Sequence, residues 1–339
     1  MRSSQYAQYR ARKIWVILVG MIVATLVLSS CGTTANKMYR VGILSGLSFF
    51  SNTADSFKAK MADLGYVEGK NITYDIQQTN VDPAAEEKIL NKFVADQVDL
   101  IFVFPTEVSL AAKQATQGTN IPVVFAQAFI EQGGLVNSVR EPGGNITGVR
   151  FPGPDLAIKR LEVLLELMPQ AKRVWVPYQK GYPNIPPQLD TLRPAAAAAG
   201  VTLVEAPFST VADLQADLEA RAKSADIGMD AVLMLAEPLT LTPDAFVAIG
   251  AFAKAHKLLV GGALVTIGGY SSVFGVMVDN VAVGNQAAPL ADKIFKGTSA
   301  GSIPLASAES FLKINYKAAQ ALNLRVPEGL LRQAAEVIR

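Results

Sequence analysis

A regular alternation of short apolar runs with longer helical patterns constrains this chain more than any other feature. From Tyr39 onward, β-branched and aromatic runs predict strands at 39–45, 72–77, 100–104, 122–126 and 146–151. Helical spacing between them predicts helices at 54–64, 84–95 and 107–116. The series then resumes with helices at 155–167, 188–199, 212–225 and 243–255. Strands are expected between these at 173–177, 202–206, 231–235 and 258–261, with a returning strand at 273–278. Helices interposed this regularly imply parallel sheets with right-handed crossovers. The strands are apolar without alternation, as expected where helices cover both faces of a sheet. Boundaries have local causes: Thr242-Pro243-Asp244 supplies a cap, a proline at the first helical position and an acid in the first turn.

About ten strands are many for one twisted open sheet, so the expected fold is α/β with two Rossmann-like lobes. Three glycine-rich segments are candidate passages between them: Pro142-Gly143-Gly144-Asn145, Ile267-Gly268-Gly269-Tyr270, and the stretch from Gly297 to Pro304. Glycine absorbs backbone rotation at small steric cost, which suits a three-segment hinge. This division assigns 39–147 with 270–300 to lobe 1, and 148–269 with 301–339 to lobe 2.

The N-terminus carries a different signal. Arg2, Arg10, Arg12 and Lys13 precede an apolar run from Ile14 to Leu28, and Ser29-Ser30-Cys31-Gly32 follows. A basic head, a short apolar core and small residues at the cut describe a secretory leader over 1–30. The run is shorter than the roughly 20 residues that span a bilayer. Leu28-Ser29-Ser30-Cys31 also resembles a bacterial lipobox, in which the cysteine is lipidated. Cys31 is the one cysteine of the chain, so no disulfide competes for it. Residues 31–38 then read as a lipidated tether, and the protein is expected outside the cytoplasm, anchored to a membrane. Loss of the four basic leader residues takes the formal charge from +2 to −2, which leaves no basic footprint for nucleic acid.

The motif order identifies a family resemblance. Leu64-Gly65-Tyr66-Val67-Glu68-Gly69-Lys70-Asn71, Asp99-Leu100-Ile101, Ile121-Pro122-Val123-Val124-Phe125 and Gly134-Leu135-Val136 come first. Pro142-Gly143-Gly144-Asn145-Ile146-Thr147-Gly148, Lys172-Arg173-Val174 and Val326-Pro327-Glu328-Gly329-Leu330-Leu331 complete it. In this order they resemble the substrate-binding proteins of ABC importers with the type I periplasmic-binding fold, the tryptophan-type binding proteins among them. The resemblance runs from about Val41 to Ile338. It implies two lobes that close over a small-molecule solute, delivery to ABC permease subunits, no cofactor and no chemistry on the ligand. A monomer is expected, and a sensing module for a membrane signalling system is the alternative use of the same lobes.

In open α/β sheets ligands sit beyond the carboxyl ends of the strands. That rule selects Ser45, Gly46, Phe49, Thr106, Gln127 and Phe129 in the first series, and Tyr178, Glu237 and Asp279 in the second. Ser45 and Thr106 suit an anionic group, Glu237 or Asp279 an ammonium group, and Phe49, Phe129 and Tyr178 an apolar body. Ser45, Thr106 and Asp279 are equally readable as caps, and Phe49 as core. The resemblance supports Thr106, Tyr178, Glu237 and Asp279. It departs at Phe129-Ile130, where the family often has Asp-Pro, and at Met277-Val278, where a glycine is usual.

Enzyme readings fare poorly. Gly297-Thr298-Ser299-Ala300-Gly301 fits the G-x-S-x-G pattern, but it follows a helix and the single histidine, His256, precedes it. One histidine without a cysteine partner makes no usual zinc site. No dinucleotide fingerprint or P-loop is present in the sequence.

Overall fold

The structure is a computed structural model that describes residues 37–80, 82–131, 133–263 and 266–339. The leader, Cys31 and most of the tether lie outside the described residues.

The first sheet holds β1 (Tyr39–Ser45), β2 (Ile72–Gln78), β3 (Leu100–Phe104), β4 (Val123–Ala128), β5 (Ile146–Arg150) and the short β13 (Ala306–Ser307). Its order is β13-β5-β4-β3-β1-β2, and every pair is parallel. Helices α1 (Ser51–Asp63), α2 (Pro83–Ala95) and α3 (Thr106–Ala115) connect the strands. The uniform burial of β3 and β4 follows from helices on both faces. Asp82 starts α2, its Oδ1 accepting from the backbone N of Ala84 and Ala85 at 3.1 and 3.2 Å, with Pro83 at the first helical position.

The second sheet has the order β15-β14-β12-β9-β8-β6-β7. Its strands are β6 (Arg173–Gln179), β7 (Thr202–Phe208), β8 (Ala231–Leu233), β9 (Leu259–Gly262), β12 (Phe274–Val278), β14 (Ser310–Asn315) and β15 (Ala334–Ile338). Helix α4 (Gly153–Leu167) leads into β6, and α5 (Ile185–Ala198), α6 (Val211–Ala222) and α7 (Pro243–His256) lie between the sheet's early strands. α6 opens on a capping box: Asp213 N donates to Thr210 Oγ1 and Thr210 N to Asp213 Oδ2. α7 starts at the Thr242-Pro243 signal read in the sequence. Each sheet has its own apolar cores, one on either face. Within the two large sheets the parallel expectation holds except for β12 and β14, which are antiparallel. β14 enters this sheet directly after the chain leaves β13 at the other, so it runs back down beside β12.

The passages between sheets differ from the expected boundaries at 147/148, 269/270 and 300/301. β5 is an inner strand of the first sheet, so lobe 1 runs through Arg150. β12 pairs with β9 and β14, so 274–278 belongs to lobe 2. The chain returns to lobe 1 at α8 (Asn280–Phe295), which lies so close to α1 that a side chain on Gly284 would strike Ser56 and the Thr53 carbonyl. β13 pairs with Val149 and Arg150, which keeps the chain in lobe 1 through Ser307. The glycines expected to form the hinge do other work. Gly268 and Gly269 form the turn of the hairpin β10 (Thr266–Ile267) and β11 (Tyr270–Ser271). Gly297, at φ +96°, ends α8 in the left-handed conformation. Gly143 N donates to Gly301 O at 2.9 Å within lobe 1.

Candidate solute-binding cleft

The carboxyl ends of the first sheet carry the lobe 1 candidates. Ser45 closes β1 and donates its hydroxyl to Leu47 O at 2.7 Å, leaving oxygen lone pairs for another donor. Gly46 N donates to Phe104 O, and a Cβ on Gly46 would lie 2.7 Å from the Val108 side chain. Thr106 opens α3, and its Oγ1 accepts from Phe129 N at 3.1 Å, which leaves the hydroxyl proton to donate elsewhere. Neither hydroxyl caps a helix: Ser45 bonds the Leu47 carbonyl and Thr106 the Phe129 amide, and both groups retain hydrogen-bonding capacity.

Asn280, unmarked in the sequence reading, organises this wall. Gln127 Nε2 donates to Asn280 Oδ1 at 2.8 Å, and Asn280 Nδ2 donates to Phe49 O at 2.9 Å. One side chain thus ties the ends of β1 and β4 to the start of α8. Gln127 has φ +53° at a bulge where the β4–β5 register shifts. Phe49 is 64% exposed and meets Phe50 edge-on, so its ring presents apolar surface at the strand end rather than joining the core. Phe129 turns instead to the first passage between the lobes, its ring 4.8 Å from Phe151 and directly over Gly153.

Two of the four acidic groups at the strand ends have structural duties. Asp279 caps α8, its Oδ1 accepting from Val281 N and Ala282 N at 2.7 and 3.1 Å. Glu237, expected to meet an ammonium group, is 3% exposed and turned into its own loop. It accepts from Gln179 N at 3.2 Å, Leu239 N at 2.8 Å and Thr240 N at 2.7 Å, and from the Thr240 hydroxyl. Four donors occupy the four lone-pair directions of a carboxylate, so its visible role is to shape the loop. Glu86 and Glu107, both missed from sequence, lie on the lobe 1 side. Glu86 is buried beside Gly46 and accepts from Thr79 Oγ1 at 2.9 Å; burial pushes its carboxyl up, and the charges of Glu107 and Asp82 add to that.

Tyr178 is held at the edge of lobe 2. Its hydroxyl donates to Glu205 at 3.4 Å, and Arg193 grips the same carboxylate at 2.8 and 3.0 Å. Burial and the Glu205 charge push the Tyr178 hydroxyl pKa up. Tyr182 lies three residues past β6. Burial pushes its hydroxyl up to about 12, with smaller contributions from Glu107 of lobe 1 and Glu237 of lobe 2. Its ring packs against the lobe 2 core, and Asn184 Nδ2 donates to its hydroxyl at 3.3 Å. A recognisable signal was present in Gly181-Tyr182-Pro183, a turn with an aromatic directly after a strand.

His256 ends α7 and lies against Phe252, the rings tilted with centroids 4.4 Å apart. Ser299 lies in lobe 1 beyond α8, where its carbonyl accepts from Ser302 N. Among the described residues no group of three or more His, Cys, Asp or Glu is placed to hold a metal, and no helix is long and apolar enough to cross a membrane.

Two α/β lobes, three passages between their sheets, and strand ends lined by hydroxyls, amides and an exposed aromatic define a bilobal binding protein. The family model for ABC transporter substrate binding protein matches residues 42–338, and the chain belongs to that family. It is a solute-binding protein of an ABC transporter, extracytoplasmic in its place of action, and not an enzyme. A tyrosine-binding protein of Clostridioides difficile (strain R20291) is 26% identical over 337 residues, covering 93% of this chain and 94% of the relative. Among solved structures, a conserved domain protein from Vibrio cholerae superposes with a TM-score of 0.73 at 26% identity, over 89% of this chain and all of the other. A Streptococcus ABC domain in complex with L-Trp has the same fold, with a TM-score of 0.73, 22% identity and the same coverage.

Proposed function

We propose that this chain is a lipid-anchored carrier that holds an amino acid, or an aromatic or apolar carboxylate-like solute, between its lobes and hands it to ABC permease subunits. The observation that carries the solute class is Phe49: an exposed ring fixed at the end of β1 through Asn280 has apolar surface to offer and no core partner for most of it. The name of the C. difficile relative and the L-Trp in the Streptococcus structure support an aromatic amino acid. The leader over 1–30, lipidation at Cys31 and a monomeric state belong to the same proposal and rest on the sequence.

A thermal-shift screen of the soluble form beginning after Cys31 tests this reading. Amino acids, aromatic acids, nucleosides and short peptides form the panel. A ligand at 100 times its Kd stabilises the folded form by about 2.7 kcal/mol, so an aromatic amino acid at saturation is expected to raise Tm by several degrees. Hits confined to nucleosides or peptides contradict the solute class. For the anchor, Cys31→Ala is expected to move the protein from the membrane to the soluble fraction; unchanged membrane association contradicts lipidation.

A further inference from the structure

Arg160 is a buried cation that the account so far leaves without a purpose. It lies on the inner face of α4 among Leu156, Ala157, Leu161 and Leu164, and is 1% exposed. Nε and Nη2 donate to one acceptor, Val276 O, at 3.2 and 2.9 Å. Nη1, equally buried, has no hydrogen-bond partner among the described residues. Burial alone draws the guanidinium down to about 9, with no neighbouring carboxylate to offset it. Buried charges are ordinarily paired, because desolvation disfavours the ionised form. A leucine would complete this helix face at less cost.

The position in the sheet shows why the Val276 carbonyl is free to accept from Arg160. β9 and β12 run in register only through the pairs Phe274–Gly261 and Gly275–Gly262. At Gly262 the backbone turns to φ +139°, pressed against the backbone of Met234 where a side chain has no room. β9 therefore leaves the ladder, and Val276 O, one position further along β12, is left to the guanidinium. The guanidinium thus sits where β9 stops, two residues short of the end of β12; open α/β sheets receive ligands beyond the carboxyl ends of their strands. Val276 is three residues before Asp279, where the chain passes to lobe 1. With the Nε–Nη2 edge spent on Val276, the Nη1–Nη2 edge remains, and that edge matches a carboxylate in a bidentate pair.

We infer that Arg160 forms an anion slot at the cleft edge of lobe 2, which takes the carboxylate of the bound solute. This deepens the solute-binding reading and rests on it. A free small anion has the same chemistry, and the test separates the two sources. Purified soluble protein, washed free of ligand by unfolding and refolding, is titrated calorimetrically with L-tyrosine, L-tyrosinamide and tyramine in a buffer without chloride or carboxylates. Thermal melts with chloride and formate run in parallel, and both sets are repeated with Arg160→Met and Arg160→Lys. Replacing a buried ion by an apolar side chain of similar volume is often neutral or stabilising, so Arg160→Met is expected to fold.

The expected result is that the wild type binds tyrosine about 100-fold more tightly than either analogue without a carboxylate. Arg160→Met then removes that preference, and Arg160→Lys, lacking the fork, restores only part of it. Chloride or formate stabilising the wild type but not Arg160→Met, with tyrosine affinity unchanged, makes the occupant a free anion and overturns the assignment to the solute. Equal affinity for tyrosine and its amide, unchanged in Arg160→Met, with no anion effect, overturns the slot while the solute-binding reading stands. A wild type that binds none of these compounds overturns both.

Discussion

Replacing Glu237 by glutamine separates two roles that the sequence leaves open, solute contact and loop support. The carboxylate is 3% exposed and accepts from three backbone N–H groups and the Thr240 hydroxyl. In Glu237→Gln the amide oxygen keeps the donors on one side, while the NH₂ faces the donors on the other. If it faces Thr240, the hydroxyl can rotate to accept, but Thr240 N stays buried without an acceptor. Hydrogen bonds to a charged group contribute about 1.5–3 kcal/mol each, and a stranded buried donor costs about 1–3 kcal/mol. A loss of about 2–4 kcal/mol is therefore expected, on the order of 5–15 °C in Tm for a lobe of this size. Two lobes need not unfold as one unit, so the probe has to report on lobe 2. Trp175 does so: it is buried in β6 and is the single tryptophan of the soluble form beginning after Cys31. Urea melts followed by its fluorescence, with no solute present, check the expectation. A variant that melts within about 0.5 kcal/mol of the wild type and has lost solute affinity refutes the structural role and returns Glu237 to the ligand.

Three further expectations follow from the same geometry. Gly153→Ala places a methyl against the Phe129 ring and is expected to cost about 1–3 kcal/mol as overpacking. A double-mutant cycle with Phe129→Leu should recover much of that loss, and an additive cycle contradicts the contact. Phe49→Ala is expected to weaken an aromatic solute by about 10-fold or more with little change in the solute-free melt, since the ring is 64% exposed; calorimetry and a thermal melt check both halves. Burial raises the Glu86 carboxyl above its ordinary 4.5, so the folded protein binds this proton more tightly than the unfolded chain. That contribution to stability is present below 4.5 and lost as pH rises through the elevated folded value. Glu86→Gln is expected to remove this loss, flattening stability between acid and neutral pH; a variant whose pH profile parallels the wild type contradicts it.

Much of the fold was legible because strand and helix patterns are local. The alternation from Tyr39 to Gly262 places each strand and helix within a few residues of its observed position. Sheet membership was not legible, since it depends on pairing between distant segments. The 273–278 run reads like any apolar strand, and only its register with Gly261 and Leu312 assigns it to lobe 2. Glycine clusters mark turns of every kind, which is why Gly268 and Gly269 read as a hinge and proved to be a hairpin turn. The strand-end rule picks Ser45, Gly46, Thr106 and Gln127 from topology, and the structure sets them at the carboxyl ends of the first sheet. The rule misjudged Glu237 because the carboxylate's partners are the backbone of its own loop and of Gln179, which no residue pattern displays. Asn280, Tyr182 and Glu86 were missed because their roles arise from neighbours across the fold. Arg160 reads in the sequence as an ordinary polar position of an amphipathic helix, and only its burial sets it apart.

Equilibrium binding of L-tyrosine and L-tryptophan to the ligand-washed soluble protein, with mass-spectrometric recovery of the ligand, bears most directly on the central claim. The account predicts saturable binding of at least one of them, at one molecule per chain, with the ligand recovered chemically unchanged. No saturable binding of either, or recovery of a converted product, would contradict it.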